Sequence, residues 1–239
     1  MDEMSPLHRA LDRCYEVFAF YPRPRVLDAS PLRDQDILKP LVSLPLRQLD
    51  DEQIGPYAGH ALTTVGGVDD YRYFLPRILH LATQAQGWPG LDPSLIGEKL
   101  KRARWLDWPA DEQAAIRHLF EEAWQRALGR HPDEENAEDW LCGMAALDFG
   151  VAAALEAFDD SRTGNSALQL ASIIQSSVFE PKGGKGGFWG NMSDDNRAVI
   201  RTWLLDRGAE RLYRALDSIS EADLWHIEQA LQVLERQRG

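Results

Sequence analysis

Four pairs of neighbouring aspartates punctuate the chain: Asp50–Asp51, Asp69–Asp70, Asp159–Asp160 and Asp194–Asp195. Paired carboxylates can hold magnesium, and through it a diphosphate, when a further acid stands at the next helical turn. One turn beyond Asp69 and Asp70 stand Tyr73 and Phe74, which offer no such ligand. The other pairs fall where helices begin or end, where carboxylates cap free amides and complement the helix dipole. The histidines (His8, His60, His80, His118, His131 and His226) form no His-Glu-x-x-His pair and are not grouped at zinc-ligand spacing. There is no Gly-x-Ser-x-Gly elbow, and neither Cys14 nor Cys142 sits in a nucleophile's sequence context. No catalytic residue, metal ligand or cofactor is therefore assigned, and the expectation is a protein that is not an enzyme. An all-α enzyme with carboxylates dispersed over several helices stays as an alternative.

"PKGGKGGFWGNM", Pro181 to Met192, has the glycines and lysines of a phosphate cradle. A phosphate-binding loop runs from strand through glycine turn to helix, with Ser or Thr after the lysine. Here the preceding segment reads as helix and Gly186 follows Lys185. Two readings remain: a connection freed by its glycines, or a loop that carries Lys182, Lys185, Phe188 and Trp189 to a partner. The basic run "KLKRARW", Lys99 to Trp105, sweeps round a helix rather than lining one face, so it is read as a solvated helix end.

From His131 to Asp160 there is no Lys or Arg, and the acids crowd into "DEENAED". Helix-start preference accounts for part of that density. The functional reading is an electrostatic landing surface for a basic protein, made of Asp133, Glu134, Glu135, Glu138 and Asp139, with Trp140 as its aromatic anchor.

The elements that must position these residues are helices. Ser5 before Pro6 predicts a cap for "PLHRALDRCYEV", and Asp50, Asp92, Asn165 and Ser193 predict further starts. Pro76 predicts a kinked or broken helix, and Gly150 a break after "DWLCGMAALDF". The last helix is expected from Ser220, with Leu224, Ile227, Leu231 and Leu234 on one seam. Period-two strand patterns are all but absent. The expected fold is all-α, with about nine or ten helices in antiparallel pairs, as a compact bundle or a helical-repeat-like stack. One domain over 1–239 is expected, with a soft boundary near 129–132.

Bulk properties narrow the partners. A net charge of −12 over 239 residues repels phosphate backbones and anionic lipid, so neither nucleic acid nor membrane is expected as a partner. No run of about 18 apolar residues occurs, two cysteines give no disulfide framework, and the first residues lack a secretory pattern. These features lead to the expectation of a cytoplasmic protein.

"FYPRPRVLDASPL" and "LPLRQLDDEQIGPYAGHALTTVGGVDDYRYFLPRILHL" resemble a family of bacterial all-helical proteins with no settled activity. The likeness covers roughly the first third of the chain. Relatives tend to carry cysteines where this chain has Asp28, Ala29 and Ser30, a departure that removes any metal site there. The resemblance implies a bacterial source and a helical fold. By analogy of type, an acidic bacterial protein of this size suits an immunity protein that neutralises a cognate toxin by covering its active site. A helical-repeat scaffold is the other binding-protein reading.

Overall fold

The computed structural model describes residues 5–31, 36–84, 90–161, 163–180 and 192–238. Among them every regular element is helical, and β-structure is limited to isolated bridges. The chain divides into two compact units, Met1–Glu122 and Ala123–Gly239. The first holds α1 (Pro6–Val17), α2 (Lys39–Ser43), α3 (Asp51–His60), α4 (Val68–Ala82) and α5 (Pro93–Arg102). The division falls inside α6 (Ala110–Leu128). The second unit continues with α7 (Ala137–Ala146), α8 (Val151–Asp160), α9 (Gly164–Gln175), α10 (Asp194–Trp203), α11 (Ala209–Ala215) and α12 (Leu224–Arg238).

Helix starts follow the capping chemistry of the sequence at several points. Ser5 accepts the His8 amide ahead of Pro6. Asp50 and Gln53 form a reciprocal capping box at 2.9 and 3.1 Å. Asp70 Oδ2 accepts the Gly67 amide at 2.8 Å, and Ser193 caps α10. Elsewhere the structure corrects the sequence. Asn165 does not cap α9; Thr163 does, accepting the Ser166 amide, while Asn165 donates to the Gly129 carbonyl at 2.8 Å. The last helix starts at Leu224, because Ser220 donates its hydroxyl to Asp223 at 2.5 Å instead of capping. Pro76 neither ends nor splits α4, which is helical through to Ala82. A proline there costs the bond to the Arg72 carbonyl, but Tyr71, Phe74, Leu75, Ile78 and Leu79 are buried on both sides of it, and packing outweighs local propensity.

In the first unit α4 packs against α1 and α3, and the Tyr57 and Phe74 rings meet with centroids 4.6 Å apart. Lys99, read from sequence as part of a solvated run, is only 4% exposed; burial lowers its pKa. Arg102 and Arg104 do lie outside, paired with Glu98 and Asp107. In the second unit α9 is the hub, in contact with α7, α8, α11 and α12. It buries Ser166 through Ala171 without interruption, then Ile173 and Ile174, so it is covered nearly all round.

One backbone approach in the first unit admits no side chain. Gly90 has φ +95°, and a Cβ there would stand 2.2 Å from the Gly55 carbonyl oxygen and 2.7 Å from the Gly59 amide nitrogen, both in α3. We expect Gly90→Ala to destabilise the first unit by about 2 kcal/mol or more, since strain and a backbone clash act together. Chemical denaturation read by tryptophan fluorescence checks this; an unchanged midpoint would refute the close approach.

Candidate functional site

The acid-rich connection after α6 is held in place by one buried amide. Gln169, fully buried on α9, donates Nε2 to the carbonyls of Arg130 at 3.0 Å and Glu135 at 2.6 Å. Its Oε1 accepts the Ala137 amide at 3.0 Å. The loop from 130 to 137 is thus pinned at both ends to the centre of the second unit. Asn136 completes the start of α7 by accepting the Glu138 amide at 3.0 Å. On the outer side, His131 Nδ1 accepts the Asp133 amide at 3.2 Å, and Nε2 lies 3.6 Å from Asp223. The Ser220 hydroxyl, ahead of the His131 imidazole, holds the Asp223 carboxyl below the usual aspartate range.

This anchoring builds one wall of a groove of about 440 Å³. Asp133, Asn136 and Glu138 stand on that wall, Leu168, Ser172 and Gln175 form the α9 side, and Trp225 with His226 closes it from α12. Trp225 is 54% exposed, and its ring stacks on His226 with centroids 3.7 Å apart. Gln175 donates to the His226 carbonyl at 3.1 Å, which ties α9 to the start of α12. Two carboxylates beside an exposed indole suit a cationic side chain: the ring face attracts the cation and the carboxylates take its N–H donors.

No protein-family model, curated protein or solved structure matches this chain. The reading of the groove rests on its own geometry.

Of the residues expected to bind a partner, Asp133 and Glu134 are exposed and Glu138 and Asp139 half-buried, all on one loop and helix start. Glu135 is not part of that surface: it is 8% exposed and pairs with Arg126 at 2.8 Å. Trp140 is 2% exposed and belongs to the core, so it offers no ring to a partner. Its place after five acids suggested an outward ring, yet "LCGMAAL" beyond it is buried throughout and carries Trp140 inward. Lys182, Lys185, Phe188 and Trp189 lie outside the described residues. Trp225 was missed. The legible signal was a tryptophan adjacent to, but off, the Leu224–Ile227–Leu231–Leu234 seam of an amphipathic helix. Gln169 was missed as well; a lone amide inside "SALQLASII" must find buried partners.

Among the described residues, no group of three or more His, Cys, Asp or Glu side chains is placed to hold a metal ion. Both cysteines are buried, and burial pushes the Cys14 thiol up to about 12. Glu112 in the first unit is 4% exposed, and its pKa is raised chiefly by burial. It accepts the Tyr21 hydroxyl at 2.7 Å and faces Arg72 Nε across 3.6 Å. The Arg72 guanidinium lies 4.3 Å from the centroid of the Trp108 ring. Burial, then the bond to Glu112, raises the Tyr21 phenol to about 12.

Two predictions follow from these buried groups. Gln169→Leu leaves two carbonyls and one amide without partners, and at about 1–3 kcal/mol for each unsatisfied group it should cost on the order of 3 kcal/mol, measured by urea unfolding. Because the folded pKa of Glu112 is raised, the folded state holds more protons than the unfolded one. Its contribution is fully present below the ordinary value of 4.5 and is lost as pH rises through the folded value. Unfolding free energies of wild type and Glu112→Gln, measured from pH 4.5 to neutral, should therefore diverge, wild type losing ground as pH rises. Parallel curves would refute it.

Proposed function

We propose that this chain is a binding protein that grips a basic polypeptide at the acidic groove of its second unit. In this reading it acts as an immunity or inhibitor protein, excludes substrate from a cognate toxin domain, and conducts no chemistry of its own. The observation that carries the reading is the groove in which Asp133 and Glu138 stand beside the exposed Trp225 ring. Two features support it. The net charge of −12 favours rapid encounter with a cationic surface. The loop carrying the acids is fixed before binding, so little ordering entropy is lost on association.

The internal use of arginine also supports an outward acidic surplus. Arg197 donates to the carbonyls of Val178, Ser177 and Glu180, and Arg201 to that of Phe179. Those cations sit against backbone oxygens.

The test is direct binding, by calorimetry, to the protein encoded by the neighbouring open reading frame. Asp133→Lys with Glu134→Lys should lower association at low salt, and Trp225→Ala should weaken affinity by about tenfold or more, as for a buried aromatic hot spot. Glu135 is left intact, because reversing it would break the pair with Arg126. A neighbouring product that does not bind, or one bound equally well by all three proteins, would sink the reading.

A further inference from the structure

A second cavity, of about 400 Å³, opens between α8, α9 and α11 in the same unit, and its chemistry is opposite to that of the groove. Arg211 and Arg214 line it, and among the described residues no carboxylate does. In a chain with a surplus of twelve acids, that segregation points to an anion. Ser161 and Thr163 add hydroxyls 3.4 Å apart, while Phe158 and Leu170 supply an apolar wall.

The two arginines are held differently. Arg211 is fastened to the end of α8, pairing with Asp159 Oδ1 at 2.5 Å and donating to the Asp159 carbonyl at 3.2 Å. Arg207 shares the same carboxylate at 2.9 Å, so two guanidiniums are set against one acid. Arg211 Nε makes no hydrogen bond and is closed off from solvent, so Asp159 alone orients that guanidinium. Arg214 is more than half exposed and pairs with Glu210 on its own helix, a partner it can exchange for a ligand at small cost.

We propose that this cavity binds a small organic anion, with a carboxylate or phosphate head and an apolar body. The head lies against the Arg214 guanidinium and the Ser161 and Thr163 hydroxyls, in the field of the fixed Arg211. The body lies on Phe158 and Leu170. A guanidinium matches the planar edge of a carboxylate or phosphate with paired N–H donors, and the enclosed apolar wall selects against fully hydrated inorganic ions.

Nuclear magnetic resonance titration of the full chain tests the site, using benzoate, phenyl phosphate, inorganic phosphate and benzyl alcohol as probes. Benzoate or phenyl phosphate should give saturable shifts at Phe158, Thr163 and Leu170, and the stronger of the two distinguishes a carboxylate head from a phosphate. Inorganic phosphate and benzyl alcohol should each bind about tenfold more weakly or worse, since each lacks half of the recognition. Arg214→Gln, at an exposed position, should lose about tenfold in affinity for the better anion with the folded spectrum kept. Ala215→Leu, which fills the cavity from α11, should abolish the shifts. The proposal is overturned if neither aromatic anion saturates, if benzyl alcohol binds as tightly as they do, or if both variants bind like wild type. Binding to the neighbouring gene product is read separately, because none of these residues lines the acidic groove.

Discussion

A primary amide buried in a helical core has two donors and an acceptor oxygen to satisfy, and Gln169 gives all of them to a single loop. Its bonds to Arg130, Glu135 and Ala137 replace the water that those backbone groups would otherwise require. The consequence reaches beyond the loop. The Ala137 amide is one of the orphan donors at the start of α7, so a side chain from α9 caps a helix it does not belong to. Once that cap is in place, Glu135 points toward Arg126, and Asp133 and Glu138 are left on the groove wall. The geometry of the acidic surface is thus set from inside, by a neutral residue.

Several arginines in both units serve as donors to backbone carbonyls. Besides Arg197 and Arg201 in the second unit, Arg77 donates to the Leu49 carbonyl at 2.6 Å, and Arg23 donates to that of Val42, in the first. Arg72 is stacked near the Trp108 and Tyr21 rings beside Glu112. A guanidinium has five donors in a fixed fork and can tie together loop carbonyls that helices leave unpaired. Arg197 is buried and Arg72, Arg77 and Arg201 are half-buried in these roles, whereas Arg23 stays exposed.

Helices were legible because their signals are local. Ser5–Pro6, Asp50 and Ser193 act within four residues of themselves, and each begins a helix as the sequence indicates. Gly150, at φ +68°, separates α7 from α8 for the same kind of reason. Reading failed where a side chain had a distant competitor. Asn165 is a good capping residue, but Gly129 takes its amide and the cap passes to Thr163. Trp140, Glu135 and Lys99 stand in charged stretches, and all three are buried. The candidate site was legible as an acidic segment; the groove was not. Its other walls come from α9 and α12, and no local pattern announces which distant indole will stand opposite a given carboxylate.

The two cavities of the second unit are arranged around α9 in a way that follows from helical periodicity. Leu168, Ser172 and Gln175 line the groove; Ser166, Ala167 and Leu170 line the arginine cavity. At about 100° per residue, each set clusters on one face, and the faces are roughly opposite around the helix axis. Gln169 projects between them, toward the loop. The arginines and the groove's carboxylates therefore lie on different faces of a buried, uncharged helix, and Arg211 and Arg214 pair instead with Asp159 and Glu210. Among the described residues the same helix is the only one that lines both sites, since the groove otherwise draws on α7, α12 and the loop before α7, and the cavity on α8, α11 and the connection after α8. Influence of one site on the other has routes through a displacement of α9 and through the direct α7–α8 and α11–α12 contacts, and α9 is buried nearly all round by its neighbours. Packing so close resists small displacements, and that favours two sites that act independently.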